Sequence, residues 1–276
     1  MLESLPWVMA IVMLMTLAIH TIETLQYGVS VVGIKTRRLA TASTLFGMVL
    51  LISRTANMVQ AVLMASFVDD AAEGIIPLED LVLRIRWVLL AATLGSVLGA
   101  FLLPTFVRTL TKGVQVFVQY GSYSGLVGAI LHRGGLKPKD FERVAATFSK
   151  PTPAQVRVTP FNLIPKSFFL TDILVTAFFT VGVVACNYAG ALTPENRSAT
   201  GALSGVCNGI ATALLFLLIS PRVSRFIDEA LNSNEGIVEV RAMAISLAFG
   251  KILGTLLAQL FLLPSAWFVA FLASHL

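Results

Sequence analysis

Six runs of roughly twenty to thirty predominantly apolar residues occupy most of this chain: Pro6–Gly28, Ala40–Val68, Trp87–Val107, Phe168–Leu192, Gly201–Ile219 and Ala242–Leu272. About twenty such residues, wound into a helix, cross the hydrocarbon core of a bilayer. The core offers no water to backbone amides and carbonyls, so a spanning segment must be a helix or a strand of a closed barrel. Barrel strands alternate apolar and polar residues, and these runs are continuous, which selects helices. Composition agrees. Charged residues make up 13% of the 276 and hydrophobic ones 56%, where a soluble domain carries roughly 25% charged. The expectation is an all-α integral membrane protein, one polytopic domain over residues 1–276 with about six transmembrane helices. No stretch remains for a separate soluble domain of ordinary size.

The N-terminal sequence Met1–Trp7 has neither the basic stretch nor the small-residue cleavage site of a signal peptide, so the first helix is expected to be retained. Trp7, Trp87 and Trp267 fall near segment ends, where interfacial anchors sit. Lys35, Arg37 and Arg38 occupy the first connection and Arg222, Arg225 and Arg241 the fifth. The third holds Arg108, Lys112, Arg133, Lys137, Lys139, Arg143, Lys150, Arg157 and Lys166. The second and fourth carry only Arg84, Arg86 and Arg197, and the second is acidic, with Asp69, Asp70, Glu73, Glu79 and Asp80. Cytoplasmic loops are the basic ones, so both termini are expected outside. Within the basic third connection, Gly113–Leu131 is apolar but interrupted by Gln115, Gln119, Ser122, Ser124 and glycines. It reads as an interfacial or re-entrant helix. The prolines that follow (Pro138, Pro151, Pro153, Pro160 and Pro165) mark an irregular basic loop.

Polar residues inside the runs carry the functional signal, because a charge at the centre of a membrane helix costs about 2.5–3.5 kcal/mol and normally faces a protein interior or cavity. Helical spacing gathers them into stripes. Thr16, His20, Glu23 and Tyr27 share one face of the first segment; Ser43, Gly47, Arg54 and Asn57 share one in the second, with Gln60 nearby. Asp172, Thr176, Thr180 and Asn187 run along the fourth, and Lys251, Thr255 and Gln259 along the sixth. Five segments with polar or small faces and one mostly apolar segment describe a bundle around a partly hydrophilic groove. Arg54, Asn57, Gln60, Lys251, Asp172 and Asn187 are candidates to line it, and His20 and Glu23 are candidates for ion or proton coupling. Plainer readings stand beside these: a buried Glu23–Arg54 ion pair holding the first two segments together, a capping or snorkelling Asp172, and a Lys251 reaching for the cytoplasmic face.

Glycines at four-residue spacing (Gly95 and Gly99, Gly201, Gly205 and Gly209, Gly250 and Gly254) are read as close-packing faces. Cys186 and Cys207 lie inside apolar runs and read as buried small hydrophobes. Gly28–Thr36 resembles a phosphate-binding P-loop but has one residue too many before Lys35 and follows a membrane helix, so ATP binding is not expected. His20, His132 and His275 form no zinc-protease pattern and no serine–histidine dyad. Ser53–Arg54–Thr55 has the character of a polyprenyl-pyrophosphatase phosphate contact, with His20 and Glu23 the sole available partners. No cofactor, metal or nucleic-acid site is indicated.

Longer strings point further. His20–Tyr27, the basic turn at Arg38, Ser43–Phe46 and Ser53–Gln60 resemble, in order and spacing, the first third of the alternate lipid II flippase family, Amj. Leu174–Tyr188 and Leu203–Ala211 are similar to its later helices. The resemblance implies a transporter of the bacterial cytoplasmic membrane whose partner is lipid II, the undecaprenyl-pyrophosphate-linked peptidoglycan precursor, carried from the inner to the outer leaflet. It also implies a family distinct from the MurJ flippases and able to substitute for them. It assigns no individual substrate contact. Alternatives are a transporter of another polyprenyl-linked glycan or of an ion, and a polyprenyl pyrophosphate phosphatase.

Overall fold

The computed structural model describes residues 6–132, 135, 137–149, 151, 161–233 and 236–275. Among them there is no strand, and six helices are long and apolar enough to cross a membrane. The first apolar run forms α1 (Pro6–Leu25), turns at Gln26 and continues as α2 (Tyr27–Thr36). Gly28–Thr36, the P-loop-like string, is therefore helical, with Gly28 pressed against Leu103, Phe106 and Val107 of the third span. Arg37 ends α2 in the left-handed region at φ 53°. There its amide donates to the Ile34 carbonyl at 3.2 Å and that of Arg38 to the Gly33 carbonyl at 3.0 Å. This closure reverses the chain in two residues. Gly33 allows it, because a side chain there would meet the Leu39 backbone at 2.9 Å.

The second run is α3 (Leu39–Ala72) and the third is α4 (Leu78–Tyr120), which has Pro104 in its interior. Gly113–Leu131 is not one helix as expected from the sequence. Its first part prolongs α4, Gly121 breaks the helix at φ 71°, and α5 (Tyr123–His132) follows. The break falls where glycine can adopt a left-handed cap, and Gly113 by itself does not interrupt the helix. A short α6 (Pro138–Ala145) occupies part of the proline-rich connection, while Arg133, Lys150, Pro153, Arg157 and Pro160 lie outside the described residues.

The remaining spans are α7 (Lys166–Leu192), α8 (Arg197–Leu214) and α10 (Gly236–Ala273), with the amphipathic α9 (Ser220–Leu231) before the last. Between α8 and α9, Leu215–Ile219 forms a π turn. Pro221 supplies the cause: it has no N–H and its ring crowds the carbonyl one turn back, so the helix widens there. The Ser220 hydroxyl donates to the Leu215 carbonyl at 3.3 Å.

Two apolar levels hold the bundle. At one end Val12, Phe67, Leu81, Ile85, Tyr188 and Leu262 pack together. The Arg197–Asp69 ion pair (3.2 Å) ties the second connection to the fourth, and Arg84 lies over the Phe67 ring. At the other end Val31, Phe168, Ile219, Met243 and Leu247 form one cluster, and Val32, Phe46, Leu110 and Val114 another. The apolar face of α9 closes this end through Phe226 against Phe168.

Two of the three glycine faces are close-packed as expected. Gly95 and Gly99 receive the α1 backbone at Leu17 and Thr21, and Gly250 and Gly254 receive Asp172, Ile173 and Thr176 of α7. The third is a correction. Gly201, Gly205 and Gly209 on α8 are exposed, with nothing within 4 Å of where a Cβ would stand. Spacing marks a small-residue face, but a neighbour must still arrive, and on α8 none does.

Candidate functional site: a polar cavity between the two apolar levels

The stripes on α1, α3 and α7 converge on a cavity of about 290 Å³. Thr16, His20 and Glu23 come from α1; Ser53, Arg54, Asn57 and Gln60 from α3; Thr180 and Asn187 from α7. The third run contributes only Val88 and Leu89, in keeping with its apolar character. Its opposite wall is α8, through Ser204, Gly205 and Asn208. Sequence reasoning missed Ser204 and Asn208, although their four-residue spacing inside the glycine-rich string was visible. Reading the glycines as packing diverted attention from the polar residues between them.

Six of the eight candidate residues line the cavity: Arg54, Asn57, Gln60, Asn187, His20 and Glu23. Gln60 donates to the Thr16 hydroxyl at 2.8 Å, fastening α3 to α1. Arg54 and Asn57 are exposed to the cavity, and neither they nor Asn187 and Asn208 hold a side-chain hydrogen bond or ion pair among the described residues. Such groups are free to bind a polar ligand.

Lys251 and Asp172 lie behind the wall. Lys251 is 6% exposed, and its ammonium donates to Glu23 Oε2 at 2.8 Å. The plainer reading of a Glu23–Arg54 pair gives way to a Glu23–Lys251 pair joining α1 to α10, and Lys251 does not snorkel. Sixteen residues, about 24 Å of helix, separate Glu23 from Trp7 and Lys251 from Trp267, which puts the pair deep in the bundle. Asp172 is 2% exposed and sits against Gly250, six residues past the start of α7, so it neither caps nor snorkels. Gln259 and Arg86 hold each other: the Gln259 amide donates to the Arg86 carbonyl at 2.9 Å, and the Arg86 guanidinium to the Gln259 carbonyl oxygen of the main chain at 3.2 Å.

The cavity opens sideways. α3 packs on α1, α2, α4 and α7, and α8 on α7 and α10, with no comparable packing between the two walls. The exposed glycine face of α8 and the exposed Leu51, Met58 and Val62 of α3 flank the gap. A separate, shallower recess of about 380 Å³, lined by Lys35, Thr36, Arg38, Thr111 and Gln115, lies where α2 ends. Cys186 and Cys207 are free thiols with their Sγ atoms 3.6 Å apart between α7 and α8.

Six membrane-length helices with a polar cavity among them define a polytopic α-helical membrane protein. The sequence model of Amj, described as "Alternate to MurJ", matches residues 15–273, and the chain belongs to that family. It is 31% identical over 256 residues to the lipid II flippase Amj of Bacillus subtilis (strain 168), covering 93% of each chain. No solved structure matches it.

Proposed function

We propose that this protein is a lipid II flippase, moving the undecaprenyl-pyrophosphate-linked precursor from the inner to the outer leaflet of the bacterial cytoplasmic membrane. The observation that carries the reading is the side-open polar cavity, with an unpaired arginine in its wall, in a member of the Amj family. Lipid II joins a long apolar tail to a polyanionic headgroup, and a cavity open to the bilayer lets the head enter while the tail stays in lipid. Arg54 offers a planar fork suited to pyrophosphate oxygens, and the low dielectric of the site strengthens that contact. Asn57, Asn187 and Asn208 hydrogen-bond the adjoining groups. At about 290 Å³ the cavity is at the small end of ligand sites. It accommodates the pyrophosphate, and the glycan and peptide extend along the α3–α8 opening.

In the proposed orientation both termini are outside and the basic connections face the cytoplasm, where they concentrate anionic lipid at the loading side. Transport requires an energy source. An inside-negative potential favours outward movement of each negative charge by about 2.3 kcal/mol per 100 mV, and His20 and Glu23 are placed in the cavity wall for coupling to protons. The chain acts as a transporter and catalyses no covalent step.

The test is complementation of a bacterium depleted of its own lipid II flippases, scoring survival and lipid II exposed at the outer surface. Wild type should rescue, and Arg54→Ala, present at equal level in the membrane, should not. Equal rescue by both would remove Arg54 from the working site. Failure of both despite normal insertion would point to another polyprenyl lipid.

A further inference from the structure

Behind the cavity wall, one ammonium group faces two carboxyl groups. Lys251 is bound to Glu23, whose other side faces the cavity. Asp172 is 2% exposed and makes no hydrogen bond or ion pair among the described residues; its Oδ2 is buried without a partner. The charge of Lys251 reaches it without an ion-pair contact. The carboxyl fits because its neighbour on α10 is Gly250, whose missing side chain leaves the space that Asp172 Oδ2 occupies, one residue from Lys251 itself. The other titratable groups around the cluster are His20 on α1, whose Nδ1 is also buried without a partner, Tyr27 on α2, and Arg54 on α3, which shares the cavity with Glu23.

Charge counting constrains this arrangement. A buried ion is tolerated when it is paired, and a lone buried carboxylate beside an already satisfied pair has nothing to offset its desolvation. One cation and two carboxyl groups reach neutrality with a single proton. We propose that Asp172 is a proton-binding site of the transporter, and that Lys251 alternates between Glu23 and Asp172 as that proton moves to Glu23. The state that matches the observed contacts is Glu23 carboxylate, Lys251 ammonium and Asp172 carboxylic acid. In the other state the proton is on Glu23 and the ammonium is on the Asp172 carboxylate. No bond other than the transferred O–H is made or broken, the ammonium keeps its three protons, and the net charge of the cluster is zero in both states.

The exchange matters for the cavity because its two states show the cargo different walls. With Glu23 ionised, a carboxylate stands in the same cavity as Arg54. With Glu23 protonated and Lys251 withdrawn, Arg54 is the one charge in that wall, and the cavity favours an anion. This inference rests on the flippase reading for its purpose, and its test does not.

Infrared spectroscopy of the purified protein in an ester-free detergent at neutral pH reads protonated carboxyl groups directly through their C=O stretch. Wild type should show the band of one buried protonated acid, and Asp172→Asn should lose it. Lys251→Met should keep the Asp172 band, since Arg54 in the cavity is then the cation left to Glu23 and none is left to Asp172. Glu23→Gln should lose the Asp172 band, because the freed ammonium moves onto Asp172 and displaces its proton. No band in wild type, or a band that survives Asp172→Asn, overturns the proton site. A band that survives Glu23→Gln overturns the alternation, since Lys251 would then be fixed. Thermal unfolding of each variant separates these outcomes from misfolding. Complementation by Asp172→Asn should fail at normal protein level. If wild type itself fails to complement, the flippase reading falls while the infrared result stands.

Discussion

Arg54, in the cavity wall, and Lys251, behind it, carry the same charge but differ in what their removal leaves behind. Arg54 is exposed to the cavity and unpaired, so Arg54→Ala strands no partner, and its effect on stability should stay within about 0.5 kcal/mol. Transport should nevertheless be lost; equal melting temperatures with unequal rescue would establish that division. Lys251→Met instead leaves the half-buried Glu23 beside an apolar side chain, a change that costs about 3 kcal/mol. Glu23→Gln should cost visibly less, because Asp172 is available to the freed ammonium. Chemical unfolding in detergent measures the asymmetry, and equal losses would argue for an isolated pair. At this scale the sequence was half legible. That charges in apolar runs face inward follows from membrane cost alone, and six of eight candidates reached the cavity. Which cation Glu23 takes does not follow, because Arg54 lies 31 residues away and Lys251 lies 228, and only the approach of α1 to α10 decides between them.

The helices show the same limit in another form. A Gly-x-x-x-Gly face says that a backbone can come close, and whether it does depends on a partner elsewhere in the chain. Gly254 would bring a methyl group to 2.6 Å from Thr176 Cβ and 2.7 Å from the Ile173 carbonyl oxygen, so Gly254→Ala must separate α7 from α10. The cost expected for such overpacking is about 1–3 kcal/mol. Gly205→Ala meets open space, and removing a helix glycine there should be neutral or stabilising by up to about 1 kcal/mol. Parallel melts of the two proteins, which differ by the same methyl group, check this reading. Transport by Gly205→Ala tests something else: if the lipid passes through the α3–α8 opening, larger side chains at Gly205 should slow rescue progressively while stability holds. Helix ends were poorly legible. Gly121 ends α4 as a left-handed glycine does, yet the sequence reads one helix through it, and α1 turning at Gln26 and α4 continuing through Gly113 had no composition signal.

For the whole molecule the six spans were legible because the bilayer, and not the fold, sets their length and polarity. Orientation rests on a further argument that the helices support by grouping. Trp7 begins α1, Trp87 lies in the first third of α4 and Trp267 is near the end of α10; two helices entering and one leaving set all three at one end, with the Asp69–Arg197 pair. Lys35, Arg37 and Arg38, the basic recess that Lys35 and Arg38 border, and α9 lie at the other. The charge rule assigns that second end to the cytoplasm. Single cysteines, placed in a chain whose Cys186 and Cys207 are alanine, make this decisive. Cysteine at exposed Glu73 or Glu195 should react with a membrane-impermeant maleimide in intact cells, and cysteine at exposed Lys35 or Asp228 should react only after the membrane is opened. The reverse pattern would invert the molecule and put the basic recess on the release side. It would also remove the proposed role of the basic loops, which would no longer gather anionic lipid where the polyanion enters. Labelling at all four positions without opening the membrane would mean that the helices do not all span, and the mid-depth position of Glu23 and Lys251 would fall with it.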